Sequence, residues 1–263
     1  MPDCIEIKMP PFQQQSRIIA NEQLAADVFR LTVHTRQIAA AAVPGQFVMV
    51  RATESLDPLL RRPFSIHSRH ADGTLSLLFK VVGKGTALLA KAKVGDLLDL
   101  LGPLGNGFNL VSNQPVCLIG GGMGIAPLLF LSQELRCPQH LLLGARNQAE
   151  LAPLAEAFAA VNGTMQLATD DGSLGHHGFV PELLDTVLPQ VSQVCTCGPW
   201  AMMRSVVSKC QAANVPCQVS IETHMACGIG ACLGCTVPSA SGPYVHVCKD
   251  GPVFNAEELQ WQR

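Results

Sequence analysis

Apolar and polar residues alternate along the first 110 positions, or gather into short runs rich in Val, Ile, Leu and Phe. Six strands are predicted from that pattern, at 16–20, 28–35, 46–51, 63–68, 75–82 and 97–100. Turn chemistry separates them: Pro44-Gly45, Asp72-Gly73, Gly83-Lys84-Gly85 and Gly95-Asp96. Six short strands at this spacing predict a small β-barrel. The stretch 102–108, GPLGNGF, reads as a linker.

Beyond it the period changes. A buried-type strand at 116–120 runs into a glycine loop and a helix ending near 135. Further strands are predicted at 141–143, 165–169, 194–197 and 218–221, and helices at 151–160, 181–187 and 199–213, each with a proline in its first turn. Alternating strands and helices predict a parallel sheet covered on both faces. Residues 223–263 are short, Cys- and Gly-rich, and form a third unit. The expected fold is therefore α/β plus all-β, divided as 1–110, 111–222 and 223–263.

Composition narrows the function classes. Charged residues are 14% of the 263, against about 25% in an average domain, and the net charge is −2. That leaves no basic field for nucleic acid and no polybasic stretch for a membrane surface. The longest apolar run, 116–131, carries four Gly and a Pro and is too short and broken for a bilayer helix. The first residues hold acids and prolines without an apolar core, unlike a signal peptide. The expectation is a soluble, cytoplasmic chain. It has 11 cysteines, an odd number, and four of them crowd into 227–248. In a reducing compartment such a cluster reads as metal or redox chemistry rather than a disulfide framework.

Five motifs carry chemistry. Cys227, Cys232, Cys235 and Cys248 follow C-x4-C-x2-C-x12-C, the plant-type spacing of a [2Fe–2S] centre. Gly228, Gly230 and Gly234 between them let the backbone wrap closely and aim N–H groups at sulfur. A structural zinc site is the alternative, although only Cys232 and Cys235 have knuckle spacing. Gly120, Gly121, Gly122 and Gly124 stand between a strand and a helix, the context of a phosphate-binding turn. They do not form G-x-G-x-x-G, and the next strand ends in Arg146-Asn147 instead of the usual acid, so a dinucleotide site of another subtype and a plain packing turn both stay open. In Arg61-Arg62-Pro63-Phe64-Ser65, Arg62 suits a phosphate, Phe64 a flat ring and Ser65 a polar ring edge, while an ordinary strand with surface arginines is the bland alternative. Gly85 and Thr86 follow Gly83-Lys84, where bare N–H groups could hold a phosphate or simply close a hairpin. Cys197-Gly198-Pro199 ends the fourth strand of the sheet, the edge where open α/β sheets bind ligands, and Asp170-Asp171-Gly172-Ser173 ends the third, where a ribose could lie. There is no H-E-x-x-H and no G-x-S-x-G, so hydrolysis and acyl transfer have no visible machinery.

Taken in order, PGQFVMV, PLLRRPFSIH, VGKGT, LGPLGNGF, GGGMGIAPL, TDDGS, CGP and ETHMACGIGACLGC with VCKDGPVF resemble the ferredoxin–NADP reductase superfamily. Within it they are similar to the electron-transfer subunits of NAD-dependent (type B) dihydroorotate dehydrogenases. The resemblance implies FAD held by Arg62, Pro63, Phe64 and Ser65, by the strand Leu78, Phe79 and Lys80, and by Gly85 and Thr86. It implies NAD at Gly120, Gly121, Gly122 and Gly124 and near Cys197, Gly198 and Pro199, and a [2Fe–2S] cluster on Cys227, Cys232, Cys235 and Cys248. It also implies an FMN-containing dihydroorotate dehydrogenase catalytic subunit as partner, in a heterotetramer. Two departures bear on this. Plain ferredoxin reductases end in an aromatic residue over the flavin, whereas this chain continues into the Cys unit. Arg146 in place of an acid would suit a 2′-phosphate, so the residues alone leave NADP open. A ferredoxin:NAD(P) reductase or hydrogenase diaphorase-type subunit shares the cofactors but not the partner, and a zinc-stabilised scaffold shares only the fold.

Overall fold

The computed structural model describes residues 11–109 and 114–261. The expected boundary at 110/111, and Cys4, lie outside the described residues.

The first unit contains β1 (Phe12–Ala25), β2 (Val28–His34), α1 (Arg36–Ala41), β3 (Phe47–Arg51), β4 (Arg62–Arg69), β5 (Thr74–Lys80), α2 (Lys84–Ala90) and β6 (Leu97–Leu104). Its six strands close into an antiparallel barrel in the order β1-β2-β5-β4-β3-β6. Strict alternation makes the core: Leu98, Leu100 and Leu104 of β6 point inward and are buried. Ile18, Leu31, Val33, Val48, Ile66 and Leu77 meet Leu98 and Leu100 from the other strands, while Leu104 packs with Phe47 and Met49 in the core shared with the sheet. The helix α1, not expected from the sequence, is only six residues long and drives Ile38 and Ala39 into this core. The glycine stretch read as a linker begins inside β6, which runs on to Leu104.

The second unit contains β7 (Val116–Gly121), α3 (Ala126–Glu134), β8 (Gln139–Ala145), α4 (Gln148–Glu156), β9 (Gly163–Thr169), β10 (His176–His177), α5 (Leu184–Val187), β11 (Gln193–Cys197), α6 (Trp200–Ala213) and β12 (Cys217–Ser220). Two short strands, β13 (Thr236–Val237) and β14 (Val245–His246), pair with each other, and β15 (Val253–Asn255) follows. The sheet order is β10-β9-β8-β7-β11-β12-β15, parallel except at β15. β7 and β11 are buried along their whole length, as strands covered on both faces must be. Successive strands run outward in opposite directions from β7 and β11, so the switch point of the sheet opens between their C-terminal ends.

Two local expectations are corrected. Helix α4 begins at Gln148, because the Asn147 side chain accepts the Glu150 N–H at 3.0 Å and caps it there. Pro153 consequently lies inside the helix instead of in its first turn. The helix expected at 181–187 divides into a 3-10 turn over 180–183 followed by the short α5.

Helix α3 joins the two units. Its Phe130, fully buried, belongs to the barrel core rather than the sheet core. Arg69 of β4 lies over the Phe130 ring at 5.4 Å and pairs with Glu134 at 2.6 Å. The Cys-rich segment is built into both units as well. β15 pairs with β12, and Val247, Cys248 and Phe254 share one core with Phe47 and Met49 of the barrel and Val219 of the sheet. Among the described residues no helix is long and apolar enough to cross a membrane.

Candidate functional site

Two clefts lie at the junction. The first, about 330 Å³, is bordered by Arg62, Pro63, Phe64 and Ser65 of β4, Leu78, Phe79 and Lys80 of β5, and Thr86 of α2. Pairing of β3 with β4 and of β4 with β5 brings these segments to one barrel edge. Arg62 and Arg61 separate by direction. The Arg61 guanidinium is committed to Asp99, bonding its carboxylate at 2.5 Å and its carbonyl at 2.9 Å. Arg62 turns to the cleft, its guanidinium donating to the Leu60 carbonyl. Gly85 does not border the cleft, but a Cβ there would stand 2.4 Å from Arg62 Nε. Its missing side chain is what lets α2 approach the guanidinium. Thr86 Oγ1 accepts the N–H groups of Val82 and Gly83 at 2.9 and 3.1 Å, fixing the turn before α2. Phe79 stacks on Phe29 at 5.7 Å and meets Phe64 at 5.6 Å, which stiffens the wall.

The opposite wall comes from the sheet. Met123 and Ala126 follow β7, and Ser220, Ile221, Glu222, Thr223 and Met225 follow or end β12. Sequence reasoning had not placed Met123, Ser220 or Met225 there; the available signal was position, because each lies at the C-terminal edge of a strand. Glu222 borders the cleft with its side chain still reached by solvent, and crowding by the surrounding walls raises its carboxyl above the usual range. His224 is not among the lining residues.

The second cleft, about 570 Å³, lies over the switch point. Gly121, Gly122 and Pro199 line it, with Arg146, Glu150 and Asp170 at the far end. Gly120, Gly124, Cys197 and Gly198 do not line it and act behind it. A Cβ on Gly124 would stand 2.4 Å from the Cys197 carbonyl oxygen and 2.5 Å from Gly198 Cα, so the glycine turn packs directly on the Cys197-Gly198-Pro199 corner. Burial, reinforced by Glu222, drives the Cys197 thiol well above its ordinary range, so it stays neutral. Lys80 and Met123 border both clefts, which therefore share a wall.

The four expected ligand cysteines are brought into one loop system. Cys227 and Cys232 are neighbours, as are Cys235 and Cys248. Among the described residues no three His, Cys, Asp or Glu side chains converge on a single point. Backbone N–H groups are aimed at sulfur: Gly230 to Cys248 at 3.1 Å, Cys232 to Cys227 and Cys248 to Cys235 at 3.4 Å each. Burial opposes ionisation of Cys227, but the N–H groups around it hold its thiol down at about 6. Burial and the adjacent Cys235 push Cys248 up to about 12. A four-thiol set with converging amide donors fits a cluster whose sulfur carries negative charge. Left-handed backbone at Gly228, Gly230 and Leu233, with φ of 74°, 79° and 58°, wraps the loop. Gly228 rests against Met49 of the barrel. Cys232 is exposed, while Cys235 and Cys248 are buried. The segment 220–227 runs from the wall of the first cleft straight into this loop.

Comparison with known proteins finds two matching family models. Residues 15–108 match the model of the oxidoreductase FAD-binding domain, and 222–260 that of the iron–sulfur cluster binding domain of dihydroorotate dehydrogenase B. The dihydroorotate dehydrogenase B (NAD(+)) electron transfer subunit of Desulforamulus reducens is 40% identical over 94% of this chain and 98% of that protein. Its counterpart in Clostridium acetobutylicum is 42% identical over 82% of this chain and 85% of that protein. Among solved structures, an NADH-dependent reduced ferredoxin-NADP oxidoreductase superposes with a TM-score of 0.84 at 31% identity, covering 94% of this chain and 90% of that one. A ferredoxin NADP+ reductase from Neisseria gonorrhoeae, at 20% identity and a TM-score of 0.64, shares the fold. With relatives this similar along nearly its whole length, the chain belongs to the family of dihydroorotate dehydrogenase B electron transfer subunits.

Proposed function

We propose that this chain carries electrons from the FMN of a dihydroorotate-oxidising partner, through a [2Fe–2S] cluster and FAD, to NAD⁺, in the cytoplasm and within a heterotetramer. The observation that carries the reading is adjacency: the first cleft shares Lys80 and Met123 with the second and runs through Met225 into the cysteine loop. When bound, FAD supplies exchange of a hydride with a nicotinamide on one side and of single electrons with a cluster on the other.

The residues supply binding and orientation. Arg62, with Gly85 and Thr86 beside it, offers charge and turn backbone to the FAD phosphates. Pro63, Phe64 and Ser65, and Leu78, Phe79 and Lys80, form the wall on which the flavin ring lies. Gly121 and Gly122 offer backbone to the dinucleotide, with Gly120 and Gly124 packing the turn and Cys197, Gly198 and Pro199 bounding the nicotinamide end. Cys227, Cys232, Cys235 and Cys248 ligate the cluster, and their amide donors stabilise its charge. No general base is needed, because dihydroorotate is oxidised in the partner.

The test is Cys232→Ser. The visible absorption should lose the cluster's contribution and orotate-linked NADH oxidation should fall to background, with FAD still bound because its residues lie on the barrel. Full cluster absorbance and turnover in this variant would refute the ligand assignment.

A further inference from the structure

Arg146 follows β8 at the far end of the second cleft, where sequence alone left a 2′-phosphate possible. The structure shows what holds it. Glu150, one helical turn on, takes Arg146 Nε on one carboxylate oxygen at 3.1 Å and a terminal guanidinium N–H on the other. The first of those oxygens is free of any other cation, while the second also pairs with Lys80 at 3.4 Å, and Lys80 is held by Asp27 at 3.1 Å. Asp170, just after β9, lines the same cleft and adds its negative field to that of Glu150 at the Arg146 guanidinium. Three carboxylates, Asp27, Glu150 and Asp170, thus surround two cations. Lys209, the remaining cation among the described lining residues, is bonded by both oxygens of Asp185 at 2.6 and 2.5 Å. Every lining cation is therefore already paired, so a dianionic 2′-phosphate entering here meets surplus negative charge, and the Nε–Nη2 edge of Arg146 is already occupied by Glu150.

We propose that Glu150 is a specificity-determining residue: by closing its carboxylate on Arg146 it restricts this cleft to dinucleotides with a free 2′-hydroxyl. The placement of Glu150 is built in, since the Asn147 cap that receives its N–H fixes the first turn of α4 and aims the side chain back at Arg146. The inference rests on the reading that the second cleft takes a nicotinamide dinucleotide.

The experiment is calorimetric titration of the FAD-loaded chain with NAD⁺, NADP⁺, 5′-AMP and 2′-phospho-AMP, alongside flavin reduction by NADH and NADPH. Glu150→Gln keeps the size of the side chain and frees Arg146. The NADP⁺-to-NAD⁺ and 2′-phospho-AMP-to-5′-AMP affinity ratios should each rise about tenfold, the worth of one charge-assisted contact. Adding Arg146→Ala to that variant should remove the gain, and Glu150→Ala should reproduce it. Unchanged ratios in both Glu150 variants, or a gain that survives Arg146→Ala, overturn the inference. A wild-type chain that binds neither dinucleotide overturns the reading of the cleft itself, and is distinguished by its failure with NAD⁺.

Discussion

His67 sits in the seam between barrel and sheet, 2% exposed, and donates its Nδ1–H to the Ala126 carbonyl at 2.8 Å. Burial outweighs that bond and lowers its pKa to about 4. Below pH 6.5 the unfolded chain gains a proton that the folded one refuses until about pH 4. This contribution to stability is thus complete above pH 6.5 and is lost as the pH falls through the window, reaching on the order of 3 kcal/mol. Between pH 7 and 5 the wild type should lose about 2 kcal/mol more than His67→Gln, read from urea midpoints. Parallel losses would mean that His67 is not the titrating group. At this scale the sequence was informative where a motif fixed the backbone and silent where side chains chose partners. The motif singled out Arg62 before Pro63, but the reason Arg61 stays out of the cleft, its pairing with Asp99 from a distant strand, is not written in the string. Glu150 gave no sequence signal beyond standing four residues after Arg146.

At the scale of elements, the glycine turn after β7 separates two uses of glycine. At Gly122, φ is 55° and a Cβ would meet nothing, so Gly122→Ala carries only the left-handed cost, about 1 kcal/mol. At Gly124 an added Cβ strikes backbone of residues 197 and 198 that cannot yield without moving β11. Gly124→Ala should destabilise by about 2–3 kcal/mol or more and lower the melting temperature further than Gly122→Ala. Thermal denaturation of the two variants decides it, and the reverse order would contradict the packing account. The strand–helix alternation of the sheet was legible because buried parallel strands read as continuous apolar runs. β10 and β15 were not, since strands of two and three residues carry no period. Nor was the start of α4, where the Asn147 cap overrode the appeal of placing Pro153 in a first turn.

At the scale of the whole molecule, function lies in how the three parts meet. Phe130 plugs the barrel core from α3, β15 stitches the cysteine segment onto β12, and Gly228 seats the loop on Met49. The motifs pointed to separate candidate sites, but their mutual placement depends on contacts far apart in sequence, which no local pattern encodes. The resulting order of cysteine loop, first cleft and second cleft is the basis for electron passage from partner to dinucleotide. Its most direct test is reconstitution with an FMN-containing dihydroorotate dehydrogenase subunit under anaerobic conditions, following NADH and orotate together. The account predicts a stable complex in which each NADH oxidised yields one dihydroorotate, and loss of that coupling when this chain is omitted. NADH oxidation that proceeds without dihydroorotate formation, or a chain that forms no complex with the dehydrogenase, would contradict it.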